Sequence, residues 1–286
     1  EPATPAEPAL GHVWRAILGQ IDEPGTESEW VSAADSPRPN FHKHPWNIGG
    51  GGVADLKDEL DEAGERTLGN MASVMGVFGI ANADDIMLAP TEVFRRAGVE
   101  ADASRSLVVG ERVRDWRITN PESVIFPYDP KVGIQQIAKW PKLHQWLWPT
   151  RTTLGNRTTF AKMTYFEEGR PWWAWHQVSL ERLIPPTGLT FAFVATHNHF
   201  APWQGSEVFG RTAPIIKLKE STTEKELGLL GILNSSTACF WMKQVMSGKH
   251  QGDGGDAHAS AEGQRFEFDN TKLKQLPIPA RQPSQL

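Results

Sequence analysis

One cysteine, Cys239, is all that the 286 residues contain. An internal disulfide is therefore excluded, and a reducing, cytoplasmic setting is expected. No apolar run approaches the length of a membrane span, and no secretory leader pattern opens the sequence. Positive charge is not in excess either: the net charge is −5, so the chain as a whole is not a basic nucleic-acid binder. Motifs that carry chemistry are equally scarce. Four glycines at 49–52 lack the Lys-Ser/Thr pair of a phosphate loop and read as a joint. SGKHQG at 247–252 has His250 where such a loop requires Ser or Thr. No Ser-His-Asp order, carboxylate pair or Cys-His dyad stands out. Asp84 and Asp85 would face opposite sides of a strand, and two ligands are too few for a metal. No catalytic residue and no metal ligand is assigned.

Charge, though scarce in sum, is unevenly spread. Residues 1–105 hold 8 Lys and Arg against 18 Asp and Glu, whereas residues 131–182 hold 8 against 3. Phosphate binding needs a local basic surface rather than a basic total. The basic part coincides with an aromatic one. Residues 133–176 contain Trp140, Trp146, Trp148, Trp172, Trp173 and Trp175, half of the 12 tryptophans in the chain. Between them stand Lys139, Lys142, Arg151, Arg157, Lys162 and Arg170, with His176 at the end. Stacking together with charge suits nucleic acid. The alternative is a core filled by tryptophan and covered by arginine stems, and most of these tryptophans are expected to be buried.

Two polar clusters lie on expected strands. Residues 107–128 read as two strands, with Arg112 and Arg114 alternating onto one face and Arg117 following. These arginines suit phosphate or guanine contact, or serve as a solvated edge that discourages aggregation. Residues 189–199 read as a strand with a polar end, where His197 and His199 share one face. No third or fourth ligand follows at a believable spacing, so zinc is not expected. His197, Asn198 and His199 at a loop tip would instead read base edges, asparagine pairing naturally with adenine.

Helices are expected at 11–20 and at 53–68, the latter from Val53, Leu56, Leu60 and Ala63 at helical spacing. Short strands are expected at 75–80, 86–89, 213–218 and 265–269, with turns at 82–85 and 271–276 and loops at 21–40 and 248–263. Residues 227–245 are apolar nearly all round, which predicts a buried helix. Thr223 and Glu226 would form its capping box and Gly248 its left-handed stop. The polar step Asn234-Ser235-Ser236-Thr237 would bend it, and Cys239 would pack inside.

The wording of that helix, GLLGILNSSTACFWMKQV at 228–245, followed by TKLKQLPIP at 271–279, resembles a known domain. It is the C-terminal target-recognition domain of adenine-specific DNA methyltransferases of the TaqI-like and type IIG kind. Within these it is most similar to the phage-growth-limitation methyltransferases of BREX phage-defence systems, type 2 in particular. HPW at 44–46 and the helix after it match the hand-over from the catalytic domain in that family. GIANADDIML at 79–88 keeps the family's acidic pair but replaces its second glycine, and RPWWAWHQV at 170–178 has Trp173 where the family has tyrosine. The resemblance spans roughly residues 44–280.

The resemblance implies an α+β fold of mixed short-stranded sheets with a buried C-terminal helix. It divides the chain into a tail at 1–10, a linker and helical hand-over at 11–74, the recognition domain at 75–281 and a tail at 282–286. It implies double-stranded DNA as partner, contacted by Arg112, Arg114, Arg117, Arg151, Arg157, Lys162, Arg170, His176, His197, Asn198 and His199. The other partner would be the catalytic methyltransferase domain of the same parent. S-adenosylmethionine belongs to that domain. GVFGIA at 76–81 runs into a turn rather than a cofactor helix, and Asn120-Pro121-Glu122-Ser123 is not the flipped-base motif. A bacterial enzyme methylating adenine N6 is expected, with this chain alone inactive. A docking module for other defence subunits or a phage inhibitor is the rival reading, favoured by the acidic N-terminal third. A carbohydrate-binding module would need exposed coplanar tryptophans.

Overall fold

The computed structural model describes residues 7–42, 52–119, 121–249 and 264–281. Expectations that fall on Gly49 to Gly51, HPW at 44–46, Asn120, residues 250–263 and most of both tails lie outside these. The architecture is α+β, with short strands in small sheets, as expected.

A four-stranded antiparallel sheet divides two cores. Its order is Phe200–Gln204, Thr187–Phe191, Ile215–Leu218, Ala72–Gly76, with Phe191 opposite Phe200, Leu189 opposite Ile216, and Ile216 opposite Met75. Alternation along each strand sends neighbours to opposite sides. Leu189, Phe191, Phe200 and Ile216 face one core, whereas Ala201, Trp203 and Ile215 face the other. The first core is closed by the helices Thr223–Leu233 and Ser236–Val245 through Leu229, Leu230, Leu233, Trp241 and Met242. Each fully buried side chain of this size contributes about 1.5–3 kcal/mol relative to exposure. The second core is larger and aromatic. Phe78 sits 6.1 Å from Phe126, 6.3 Å from Trp175 and 6.3 Å from Phe209. A second four-stranded sheet borders it, ordered Val208–Phe209, Ser104–Val108, Glu122–Ile125, Leu88–Ala89, the first pair parallel. Far-separated parts of the chain close on one another where Arg66 pairs with Ile278 and Thr67 with Pro277.

Several elements differ from expectation, each for a local reason. The apolar stretch is two helices rather than one bent helix. Asn234 ends the first with ψ at 5°, and Ser235 starts the second, its hydroxyl accepting from the Ala238 N–H at 3.1 Å. The true N-cap of the first helix is Thr222, one residue before the expected Thr223, and it accepts from the Lys225 N–H. Glu226 is drawn away to the Ser221 hydroxyl at 2.5 Å. Gly248 is no helix stop, because the helix ends at Val245 and Ser247–Lys249 is a strand paired with Arg265–Glu267. Cys239 is half-buried rather than enclosed. The helix from Val53 ends at Ala63. Asp84 and Asp85 open the short helix Asp84–Met87, where their charge suits an N-terminus, instead of sitting in a turn. Residues 270–273 form a helix capped by Asp269, which accepts from the Thr271 and Lys272 N–H groups. No helix of the described residues is long and apolar enough to cross a membrane.

Candidate nucleic-acid interface

The tryptophan-rich stretch builds from the helix Pro141–Leu147 through Trp148–Thr150 to Arg151–Gly155, then a turn closed by the Thr158–Thr164 bridge. Half of its six tryptophans are buried, where most were expected to be. Trp140, Trp172 and Trp175 are buried, and Trp146 packs 5.6 Å from Phe94. Their indole N–H groups are answered locally: Trp175 donates to the Ile125 carbonyl at 2.8 Å, Trp140 to Asp102 at 2.9 Å and Trp173 to the Gln135 carbonyl at 3.0 Å. An exposed coplanar tryptophan platform is absent from this stretch, and the carbohydrate reading loses its premise.

Two arginines expected at the DNA, Arg157 and Arg170, turn inward. The Arg157 guanidinium donates to the carbonyls of Leu154 (2.9 Å), Ala81 (2.8 Å), Trp172 (3.0 Å) and Ala174 (2.7 Å). Arg170 donates to the Trp175 and His176 carbonyls. Both guanidinium groups stand over the buried Tyr165 ring at 4.4 Å. The Arg157 donors, committed on all three nitrogens, leave no fork for a phosphate, whereas Arg170 commits one amino group. The sequence pattern of alternating basic and aromatic residues could not distinguish this internal use from an external one. His176 is half-buried beside them, and burial first, then Arg170 and Arg157, lowers its pKa below the usual imidazole value.

The remaining residues of the stretch form an exposed edge. Arg151 is bracketed by Trp148 at 5.4 Å and Phe166 at 5.0 Å. Gly155 permits this, since a Cβ there would lie 2.1 Å from the Phe166 ring. Trp148 is 56 % exposed and Phe160, on the turn, 77 %. Phe160 lies edge-on to His176, with ring centres 4.6 Å apart. Lys162, exposed on the same turn, takes a left-handed φ of 62°. Phe160 and Phe166 were missed in the sequence because tryptophan dominates the stretch. Their only sequence signal is an aromatic residue among turn-forming polar ones.

The second cluster gathers residues far apart in sequence. Arg112 ends a 3-10 turn rather than lying on a strand, so it does not share a face with Arg114; it pairs with Glu122 at 3.4 Å. Arg114 and Arg117 pair across a tight hairpin, and both are exposed. One Arg114 amino group already donates to the Gly110 and Val113 carbonyls, at 3.0 and 2.7 Å. The hairpin tip is Asp115 and Trp116, the latter with a left-handed φ of 72°. Asp115 Oδ1 lies 2.7 Å from His199 Nδ1 and 3.7 Å from His197 Nε2. Asp115 is thus the third group beside the two histidines, which a separation of some eighty residues hid from any spacing argument. His197 is exposed and His199 buried. Burial lowers the His199 pKa, against the opposing pull of Asp115. Asn198 is also buried and is withdrawn as a base reader. Its amide donates to the Leu233 carbonyl at 2.6 Å and the Ser235 carbonyl at 3.2 Å.

No family model matches the sequence. The chain is 43% identical over 292 aligned positions to the adenine-specific methyltransferase PglX of Streptomyces coelicolor, a match covering all of this chain and 24% of that protein. Among solved structures, the type IIL restriction-modification enzyme MmeI, in complex with DNA, aligns at a TM-score of 0.45 with 13% identity, covering 63% of this chain and 23% of MmeI. The type IIG restriction endonuclease BpuSI aligns at 0.45 with 10% identity, covering 80% of this chain and 26% of BpuSI. Neither structural likeness is close enough to carry an argument. The sequence resemblance to an adenine-specific methyltransferase therefore holds along the whole chain, which is related to a segment making up about a quarter of PglX.

Proposed function

We propose that this chain is the DNA target-recognition module of a site-specific adenine-N6 methyltransferase, of the TaqI-like kind, in a bacterial phage-defence system of BREX type. Residues 75–281 form its body, with the helix Val53–Ala63 and the strand at Arg66 leading in from the catalytic side. In this reading it positions duplex DNA for a catalytic domain elsewhere in the parent, which binds S-adenosylmethionine, and transfers no methyl group by itself. The relation to PglX supports the parent chemistry. The observation that carries the DNA role is Arg151 held between Trp148 and Phe166. A guanidinium stacked on rings keeps its N–H edge free for a phosphate, and the rings offer faces to bases.

The test uses the full-length parent. Arg151→Ala should weaken binding to target and random duplex alike and flatten the salt dependence by roughly one unit of slope. Adenine methylation at the parent's own site should disappear from the genome when this segment is deleted. Binding with an unaltered salt slope, or site-specific methylation without the segment, refutes the reading.

One observation favours the docking reading. An apolar groove lined by Leu60, Ile232, Ala238, Trp241, Leu276 and Pro277 lies between the helix Val53–Ala63 and the helical break. Charge reversal on the Arg151 edge would then leave DNA binding intact, while Ile232→Arg would detach a protein partner.

A further inference from the structure

We propose that Asp115, His197 and His199 form a site for a divalent transition-metal ion, zinc foremost, which fastens the hairpin at 113–118 to the strand Phe200–Gln204. The claim goes beyond DNA recognition and does not depend on it.

The donor set is right for the metal. Two imidazoles and one carboxylate are borderline ligands that zinc accepts, and three protein ligands leave a fourth position for water. The donor atoms all lie within 4.8 Å of one another. Ligands of a tetrahedral zinc with bonds of about 2.0 Å are roughly 3.3 Å apart. The observed 2.7 Å from Asp115 to His199 and 3.7 Å from Asp115 to His197 straddle that spacing, so small side-chain rotations suffice. His197 is already oriented. Its Nδ1 lies 3.1 Å from the Thr196 hydroxyl, which leaves Nε2 toward Asp115. A metal-bound imidazole ordinarily has such a partner on its other nitrogen.

The backbone around the cluster is fixed from two directions. The Phe200 carbonyl, next to His199, accepts from the Trp116 N–H at 3.1 Å and from the Asn234 amide at 3.0 Å. The first bond ties the hairpin tip that carries Asp115 to the strand that follows the histidines. Trp116 takes a left-handed φ of 72°, a conformation that the surrounding structure must hold in place. Exposure is graded: the His199 side chain is 8% exposed, His197 47% and Asp115 63%, so one ligand is anchored and two face solvent, where an ion can enter.

The experiment uses the whole chain without a histidine tag, stripped with chelator and re-equilibrated with zinc or cobalt. Wild type should retain one zinc per chain through gel filtration, should show the visible bands of tetrahedral Co(II), and should melt at a higher temperature with zinc present. Asp115→Asn keeps an acceptor for His199, and His197→Gln changes an exposed side chain. Both should fold, with metal-free melting temperatures near wild type, and both should lose the bound metal, the Co(II) bands and the zinc-dependent shift. Failure of wild type to retain zinc overturns the proposal. So does retention by either variant, which would place the metal on other histidines.

Discussion

Asn234 holds both backbone groups of Phe200: its Oδ1 accepts from the Phe200 N–H at 2.9 Å, and its Nδ2 donates to the Phe200 carbonyl at 3.0 Å. One side chain thereby does what a neighbouring strand would do for that residue. Asn198 returns the favour across the break, donating to the carbonyls at the end of one helix and the start of the next. The polar step in the apolar stretch is the seam between the helices and the strand before the large core. Asn234→Ala strands the buried Phe200 N–H, and Asn198→Ala removes the amide donor from the Leu233 carbonyl, while the Ser235 carbonyl keeps the Cys239 N–H at 3.0 Å. Each should lower unfolding free energy by about 1–3 kcal/mol in urea titrations.

Arg157 and Arg151 separate structure from binding. Arg157 ties four carbonyls together within the fold, and its burial lowers its pKa. Arg157→Lys cannot reproduce a planar fork and should lower the melting temperature while leaving the salt slope of DNA binding by the parent unchanged. Arg151→Ala should do the reverse. Equal loss of stability from both would show that Arg151 is structural too.

The general fold was legible because it rests on local patterns. The strands expected at 189–199 and 213–218 are present in part, as Thr187–Phe191 with Val194–Ala195 and as Ile215–Leu218, and the helical spacing of Val53, Leu56 and Leu60 yields the helix Val53–Ala63. What was not legible depended on where polar groups point. Arg157 and Arg151 look alike in sequence, yet the Arg157 guanidinium turns inward onto the Ala81, Trp172 and Ala174 carbonyls, which only the folded chain brings together. Asn198 looked like a loop tip because the helix break that consumes its amide lies more than thirty residues away. Asp115 reaches the histidines only through a hairpin whose tip bonds to Phe200.

His176 should make stability depend on pH. Its folded pKa is lowered from 6.5, by burial first and then by Arg170 and Arg157. The unfolded chain therefore takes up this proton at a higher pH than the folded one. Between the lowered value and 6.5 the unfolded state binds more protons, so stability rises with pH across that window. The contribution is intact above 6.5 and is lost as pH falls through the folded value. Urea midpoints measured in chelator should fall on acidification through this range, and less steeply for His176→Gln. An equally steep fall in the variant would assign the effect to other groups.

Phe160 is the most direct probe of the DNA edge. At 77% exposure it buries little against the protein, and its ring lies edge-on to His176. A large aromatic residue held out on a turn gains nothing for folding, so Phe160→Ala should leave the melting temperature within error of wild type. If the turn meets DNA, the ring stacks on or wedges against a base, and alanine should cost about 1–3 kcal/mol of affinity in the full-length parent. Stacking is sequence-tolerant, so the loss should be similar for target and random duplex. Unlike the loss from Arg151→Ala, it should leave the salt slope unchanged, because no phosphate contact is removed. A neutral result for Phe160→Ala together with a changed slope for Arg151→Ala would restrict the DNA contact to the Arg151 end of the edge. Neutral results for both would remove the edge from DNA binding altogether.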